Sequence, residues 1–359
     1  MMGGAAKATL RPCRLSCRHA RSCPRSHGYR LGAIRASVRA SADDDGTVPR
    51  MVPGGLVDSG RRRLLGGALA IGGHCACGCP SASAGLADGL AAGMAAESTR
   101  RLRADSACGE ALSRCFPGSL SAGEALRRTT TALGALDSNL GPASVLYGHS
   151  ICPDEINNAQ DGLPSRMAGH WGEVFPLGGL GGAPFAGKTG FSAFSHHVPD
   201  NGSIIILFGP HIAISASGEL GKYRRQGQAA DSAACGAVLA AYNSCCQADA
   251  AECDTTAPLD MLDLEQAWLR QRVAPRCRGV AAAQEPLQEL IHGVYQDIEE
   301  NMLALVNHDF GPGRLILLGG IQINLPAPYE DHFQPLLFRA SSQAEPNGTN
   351  LLQQLVGRS

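Results

Sequence analysis

The stretch Ser203-Ile-Ile-Ile-Leu-Phe208 decides the fold class of this chain. Every residue after the serine is apolar and three are β-branched, which is typical of a strand covered on both faces in a parallel sheet. Further apolar runs lie at 143–150 and at 314–324, the latter as a strand pair or as one strand with a glycine kink. Between them, 286–306 carries apolar residues at helical spacing. Strands alternating with helices predict an α/β fold, a mostly parallel sheet flanked by helices.

Composition excludes several functional classes. Of the 359 residues, 44% are hydrophobic and 18% are charged, which is too apolar for an intrinsically disordered protein. A formal net charge of −1 provides no electrostatic footprint for nucleic acid. The apolar runs are interrupted well short of ~18 residues, so we expect no stable membrane span in the mature protein.

Residues 1–84 are interpreted as a targeting region. Residues 1–42 contain nine Lys or Arg and no Asp or Glu, which is typical of an organelle transit peptide. Arg61-Arg62-Arg63 then precedes a short apolar stretch and the triplet Ala82-Ser83-Ala84, the pattern of a twin-arginine signal. We therefore expect a chloroplast protein, in the stroma or in the thylakoid lumen, with the second signal favouring the lumen slightly.

The remainder of the chain is expected to divide into three parts. Residues 85–142 form an N-terminal helical segment, in which Ser121 and Glu124 are spaced as a capping box. Residues 143–340 form the α/β domain, and residues 341–359 form a tail of loops or extensions. The chemistry of the protein is therefore expected within 143–340.

Three good metal ligands occur where strands end or where a helix begins. Cys152 and His211 each follow an expected strand, and Cys235 lies in the first turn of a helix expected at 232–246. Ligands bind beyond the carboxyl ends of strands in open parallel sheets. A helix N-terminus also stabilises a thiolate.

Two thiolates and one imidazole form a donor set that favours Zn2+, and three protein ligands leave a fourth position open for water. Asp154, two residues after Cys152, can reach that position from the side. Spacing alone does not establish such a site, because a free cysteine is often only a small buried hydrophobic residue. A catalytic zinc site and buried thiols both stay open at this point.

Five stretches carry a resemblance to a known family. They are 147–157 (YGHSICPDEIN), 171–179 (WGEVFPLGG), 187–199 (GKTGFSAFSHHVP), 207–211 (LFGPH) and 234–237 (ACGA). Together they resemble the limiting-CO2-inducible B/C family of algae, which is related to theta-type carbonic anhydrases and has a fold similar to that of β-carbonic anhydrases. The resemblance covers roughly residues 100–340.

The resemblance implies a carbonic anhydrase, a zinc enzyme that interconverts CO2 and bicarbonate in algal inorganic-carbon acquisition. It implies that Cys152, His211 and Cys235 ligate the zinc. It also implies a homodimer, or a hetero-oligomer with a paralogue, with sites near the subunit interface.

Asp154 matches the aspartate of the Cys-x-Asp-x-Arg motif of β-carbonic anhydrases, which pairs with the arginine and contacts or displaces the zinc-bound water. This chain departs from that motif, because Ile156 stands where the arginine would be. The partner of Asp154 must come from elsewhere. We expect Arg225 first and Arg166 second.

Two alternatives to an active carbonic anhydrase remain. A catalytically silent member of the family would act as a subunit of a CO2-trapping complex. More remotely, Gly182-Ala-Pro-Phe-Ala-Gly-Lys-Thr189 matches the phosphate-binding loop G-x-x-x-x-G-K-[ST] of nucleotidases. Neither a hydrophobic strand before that loop nor a long helix after it is expected.

Several further residues have no settled role. His149, His196 and His197 are available to carry the proton that CO2 hydration releases. The four remaining cysteines of the α/β domain are interpreted, without preference, as plain thiols or as a regulatory disulfide: Cys245, Cys246, Cys253 and Cys277.

Overall fold

A computed structural model describes residues 106–247, 253, 255 and 260–357. The targeting region 1–84, with its expected transit peptide and twin-arginine signal, lies outside the described residues. Within the described part of the chain, no helix is both long enough and apolar enough to cross a membrane.

Among the described residues, eight strands form one mixed sheet. They are β1 (Leu120–Ser121), β2 (Val145–Ser150), β3 (Phe175–Pro176), β4 (Ser203–Phe208), β5 (His211–Ala213), β8 (Leu315–Asn324), β9 (His332–Ser341) and β10 (Thr349–Asn350). The main strand order is β1-β9-β8-β4-β2-β3, while β5 continues alongside β8 and β10 pairs with β9. Two short strands form a separate ribbon: β6 (Lys222–Tyr223) and β7 (Ser232–Ala233).

The helices of the described residues surround this sheet. They are α1 (Ala107–Cys115), α2 (Ala122–Leu136), α3 (Leu163–Trp171), α4 (Gly187–Ser195), α5 (Gly236–Tyr242), α6 (Leu264–Val273), α7 (Cys277–Ala282), α8 (Pro286–Leu305) and α9 (Leu352–Val356). Short 3₁₀ turns occur at Glu155–Asn158, Leu180–Gly182 and Ala274–Arg276, and a π turn follows α5 at Asn243–Gln247.

Strand β4 is buried along its whole length, which confirms the interpretation of the SIIILF stretch. Ile204 and Ile206 pack in a core cluster with α1, α5 and α8, whereas Ile205 and Leu207 pack in a second cluster with α2 and α3. Burying one such side chain contributes roughly 1.5–3 kcal/mol to folding. Helices on both faces therefore explain why no polar residue interrupts the strand.

The parallel part of the sheet is built as expected. β2 pairs in parallel with β4, and β4 pairs in parallel with β8. The run at 314–324 is one strand, β8, with a register shift at Gly319-Gly320 against β9. The carboxyl ends of β2, β4 and β8 therefore lie at the same edge of the sheet.

Local structure differs from the sequence interpretation in three places. The segment 341–359, expected as a tail of loops or extensions, contains β10 and α9, and Leu351 and Leu355 are buried in the core. Strand β9 was missed, and it pairs antiparallel with β8, so the sheet is mixed. The helix expected at 232–246 is shorter, because β7 takes up its first residues.

Candidate metal centre

Cys152, His211 and Cys235 converge at one edge of the sheet, although they are far apart in the chain. One candidate ligand atom from each residue can be chosen such that all three lie within 4.8 Å of one another. The sulfur atoms of Cys152 and Cys235 are 3.7 Å apart. All three residues are buried, and His211 has no exposed surface. This arrangement can hold a metal ion.

The fold explains the convergence. Cys152 lies just beyond β2, and His211 is the first residue of β5, which follows β4 after Gly209-Pro210. Since β2 and β4 are parallel neighbours, their carboxyl ends bring Cys152 and His211 together. Cys235 is the N-cap residue of α5. A hydrogen bond from Ala213 N–H on β5 to the Ala234 carbonyl joins β5 to the end of the β6–β7 ribbon. This contact places the start of α5 against the same edge of the sheet.

The two thiols are not equivalent. The hydrogen bond with Cys152 lowers the pKa of Cys235, and the backbone N–H groups of Ala237 and Val238 lower it further, against the opposing effect of burial. The same sulfur–sulfur hydrogen bond and burial raise the pKa of Cys152. Cys235 at the start of α5 is therefore the more stable thiolate, as expected for a sulfur at a helix N-terminus.

The imidazole of His211 has one free nitrogen. Its Nδ1 lies 2.9 Å from Asn324 Oδ1, whereas its Nε2 is buried without a hydrogen-bond partner among the described residues. Burial lowers the pKa of His211, but interactions with Cys152 and Asn324 raise it by more. A buried nitrogen without a partner is unusual in folded proteins, and metal ligation is one explanation for it.

Asp154 is held beside the cluster by Arg225. Arg225 Nη2 donates to both carboxylate oxygens of Asp154, at 3.0 and 2.9 Å, and Asp154 Oδ2 lies 3.7 Å from His211 Nε2. Arg225 also contacts Glu155 Oε1 at 2.6 Å and Ser232 Oγ at 2.6 Å. Strand β7 holds the guanidinium through Ser232 Oγ and the Ala233 carbonyl, so Arg225, and not residue 156, is the arginine partner of Asp154.

Arg166 does not contact Asp154, so its selection as the second partner was wrong. Its guanidinium pairs with Glu330 at 2.7 Å and donates to the Asp161 carbonyl at 2.7 Å. These two acceptors hold the side chain against α2, where Glu330 also accepts from Gly123 N–H. Arg166 therefore links α3 to α2 and the loop after β8.

One side of the cluster is lined by apolar residues. A narrow cavity borders His211 and Cys235, and its other sides come from α5 and from the first turns of α8. The apolar side chains are those of Ile212, Val238, Leu239, Leu287, Leu290 and Ile291. Such walls suit a small uncharged molecule.

The other histidines fall at different places. Burial lowers the pKa of His149 to about 4, so this side chain is neutral near pH 7 and unsuited to carry protons there. His196 and His197 are exposed, on the turn that follows α4. Of the three histidines expected as proton carriers, only His196 and His197 remain candidates.

The four other cysteines form two disulfides, Cys245–Cys253 and Cys246–Cys277. They link the π turn after α5 to the segments that follow, and they do not take part in the cluster. The structure thus resolves the question of plain thiols or disulfides, which local spacing left open.

The segment Gly182–Thr189 has no strand directly before it. Gly182 ends a 3₁₀ turn, and its carbonyl accepts from Ser150 Oγ at 2.8 Å. A Cβ at Gly182 would collide with the backbone of Gly209, so this loop packs directly against the β4–β5 junction. The context of a phosphate-binding loop is absent from this described segment.

Sequence reasoning missed the polar residues beneath His211. Asn324, Asn157 and Asp331 are buried and connected by hydrogen bonds. One signal was present, because Gln322 and Asn324 are polar residues at the end of an otherwise apolar strand. Polar residues buried within a sheet need partners, and this requirement points to a network.

The mixed α/β sheet carries two cysteines and a histidine at its edge, with an Asp–Arg pair beside them. A sequence model of the limiting CO2-inducible proteins B/C, described as β-carbonic anhydrases, matches residues 120–342. The chain therefore belongs to this family. A search of curated proteins found no significant match.

Solved structures agree with this assignment. PtLCIB4, described as a homolog of the limiting CO2-inducible protein LCIB, is 28% identical with a TM-score of 0.61, over 67% of this chain and 98% of that one. A point mutant of PtLCIB4 is 27% identical with a TM-score of 0.58, over 66% and 95%. LCIB itself, at 23% identity and a TM-score of 0.50 over 66% and 94%, is similar in fold.

Proposed function

We propose that this protein is a carbonic anhydrase that interconverts CO2 and bicarbonate with a zinc ion held by Cys152, His211 and Cys235. The observation that carries the proposal is the convergence of these three donors within 4.8 Å of one another. Membership of a family described as β-carbonic anhydrases supports the same conclusion.

The donor set fits zinc. Two sulfurs and one imidazole nitrogen are ligands that zinc prefers, and three protein ligands are typical of catalytic sites. The unpartnered Nε2 of His211 supports metal ligation at this nitrogen. A zinc ion in such a site supplies a Lewis acid that activates water at neutral pH.

The remaining residues position the reactants. Arg225 holds both oxygens of Asp154, so the carboxylate stays directed towards the cluster and can accept a hydrogen bond from water or from a protonated substrate oxygen. The apolar walls from α5 and α8 accept CO2, which is small and uncharged.

Replacement of one sulfur tests the proposal. We expect Cys152→Ser to lose most bound zinc and CO2 hydration activity, because an alcohol is a far weaker zinc ligand than a thiolate. Cys108→Ser is the matched control, since Cys108 is also a free buried cysteine but lies on α1 outside the cluster. Metal content by mass spectrometry and stopped-flow CO2 hydration are the measurements. Retention of full zinc content in Cys152→Ser would contradict the assignment.

A second candidate is a catalytically silent subunit of a CO2-trapping complex. The burial of the site favours it, because Cys152, His211 and Cys235 expose 4%, 0% and 2% of their surface. A closed site would bind zinc and still hydrate no CO2. Zinc content near one per chain with no measurable hydration would therefore select this candidate.

We also propose a chloroplast location, in the thylakoid lumen, and assembly as a homodimer or as a hetero-oligomer with a paralogue. The basic N-terminus and the twin-arginine pattern support import, and the two disulfides fit an oxidising compartment. Fractionation of chloroplasts and light scattering of the purified chain test the two proposals separately.

A further inference from the structure

Three buried polar side chains form a network that reaches His211 at its Nδ1 atom. Asn324 ends β8 and is 1% exposed, Asn157 follows Cys152 on the 3₁₀ turn and is 3% exposed, and Asp331 precedes β9 and is 8% exposed. Polar groups this deep are costly unless each has a partner. Their contacts form a continuous chain of hydrogen bonds from Asp331 to His211.

The orientation of each amide follows from its neighbours. Asn157 Nδ2 donates to the Cys152 carbonyl at 3.1 Å, so its Oδ1 faces Asn324 Nδ2, at 3.3 Å. Asp331 Oδ1 accepts from Leu325 N–H at 2.9 Å, and its Oδ2 accepts from Asn324 Nδ2 at 3.1 Å. Both N–H bonds of the Asn324 amide are therefore directed at acceptors.

The remaining atom of the amide, Asn324 Oδ1, lies 2.9 Å from His211 Nδ1. A carbonyl oxygen can only accept, so His211 must carry its proton on Nδ1. The Nε2 lone pair then faces the side of Cys152 and Asp154. In a metal-ligating histidine, the hydrogen bond made by the nitrogen that does not bind the metal generally determines the tautomer and the ring orientation.

We propose that Asn324 and Asp331 are positioning residues that hold His211 in the Nδ1–H tautomer, with Asp331 acting through the Asn324 amide. The inference rests on the proposed zinc site, because it assigns these residues a role in metal affinity. It predicts that a change at Asp331, which contacts none of the three ligands, alters the tautomer of His211.

The first variant is Asp331→Asn. The new amide has one acceptor oxygen in place of two. Because the backbone N–H of Leu325 cannot turn away, we expect the oxygen to accept there, so that Asn324 Nδ2 faces an NH2 group and loses the acceptor that orients it. We expect zinc affinity to fall about 10–100-fold, as for other outer partners of metal ligands. Glu330→Gln is the matched control: it makes the same acid-to-amide change one residue away, where the carboxylate contacts Gly123 and Arg166.

A residue swap separates positioning from general structural damage. Asn324→Asp places a second carboxylate beside Asp331 and leaves no amide to donate, so we expect weakened zinc binding. In the double variant Asn324→Asp/Asp331→Asn, residue 324 can again accept from His211 Nδ1 and residue 331 can donate to it. We expect the double variant to bind zinc at least tenfold more tightly than the single variant with the lower zinc affinity.

The tautomer itself can be read without metal or activity. In the full chain labelled with 15N-histidine, stripped of metal and held at an alkaline pH where the His211 ring is neutral, long-range 15N–1H correlation spectra distinguish Nδ1–H from Nε2–H. His211→Gln assigns the signal. We expect only the Nδ1–H tautomer of His211 in the wild type and in Glu330→Gln. In Asp331→Asn we expect the Nε2–H tautomer to appear as well. Zinc affinity is measured by competition with a chromophoric chelator.

The outcomes separate the two proposals. An unchanged His211 tautomer in Asp331→Asn, or zinc affinity within twofold of the wild type in both single variants, overturns the positioning role. A wild type that binds no zinc overturns the proposed function, while the tautomer spectra still decide the positioning role. If Asp331→Asn fails to fold, the swap decides: no recovery of affinity in a folded double variant overturns the inference.

Discussion

Arg224 and Arg225 are adjacent residues in very different surroundings. The Arg225 side chain is 18% exposed and bonds to Asp154, Glu155 and the β7 strand. The Arg224 side chain is 56% exposed and pairs with Asp231 at the surface. Exposed ion pairs contribute about 0–1 kcal/mol, so only the Arg225 pair is expected to matter for the site.

We predict that Arg225→Ala lowers kcat/KM for CO2 hydration about 100-fold, as for removal of other groups that stabilise charge in an active site, while zinc remains bound. Arg225→Lys should restore little, because one ammonium cannot contact Asp154 and also keep the bonds that Nε and Nη1 make to Glu155 and Ser232. Arg224→Ala is the matched control and should stay within twofold. Equal activities of the two alanine variants in stopped-flow assays would argue against a role for the Asp154–Arg225 pair.

At the scale of elements, the break between β4 and β5 sets the position of His211. Both strands pair with β8, and Gly209-Pro210 connects them. Gly209 has φ +142°, and a Cβ there would collide with the carbonyl oxygen of Gly320. This close approach of two backbones fixes His211 opposite Gln322, two residues after the glycine.

We predict that Gly209→Ala destabilises the fold by more than about 1 kcal/mol and weakens zinc binding, since relief of the collision must displace His211. Gly134→Ala, in α2, is the control because a Cβ there meets no atom within 4 Å. In that variant the free energy of unfolding should rise by about 0.5–1 kcal/mol, because alanine has a higher helix propensity than glycine, and zinc binding should not change. Urea denaturation and chelator competition measure both effects. A Gly209→Ala protein as stable as the wild type would contradict this account of the junction.

At the scale of the whole molecule, two half-buried histidines have neutral rings near pH 7. Burial lowers the pKa of His149 on β2 to about 4, and it lowers the pKa of His332 on β9 to about 4. In the unfolded chain these rings bind protons near pH 6.5, so between pH 6.5 and 4 the unfolded state holds more protons than the folded state. The free energy of unfolding therefore falls as the pH falls through this window.

Each histidine is expected to contribute roughly 3 kcal/mol to this loss of stability at pH 4. We predict that the double variant His149→Gln/His332→Gln reduces the pH dependence of unfolding between pH 6.5 and 4. Urea titrations of the metal-free chain at several pH values measure it. His196→Gln, at an exposed position, is the control, and its free energy of unfolding should depend on pH as that of the wild type does. An unchanged slope in the double variant would show that other groups cause the acid sensitivity.

Much of the scaffold could be predicted because its signals are local. Strand β4 is apolar throughout and helix α8 repeats at helical spacing, and both were located correctly. Strand β9 was missed, because its residues alternate irregularly between buried and half-buried positions at the side of the sheet. The start of α5 was misplaced, because the pairing of β7 with β6 outweighed the helical pattern of the sequence.

By itself, the sequence determined the buried strands, the long helix and a donor set of two cysteines and a histidine placed after strands or before a helix. Tertiary structure alone decided that Arg225 and not Arg166 faces Asp154, that the other four cysteines form two disulfides, and that Asn324 and Asp331 stand behind His211. The physical reason is that periodicity and capping act within a few residues. The His211–Asn324 contact joins residues 113 positions apart and the Asp154–Arg225 contact joins residues 71 positions apart, so only tertiary packing brings their side chains within hydrogen-bonding distance.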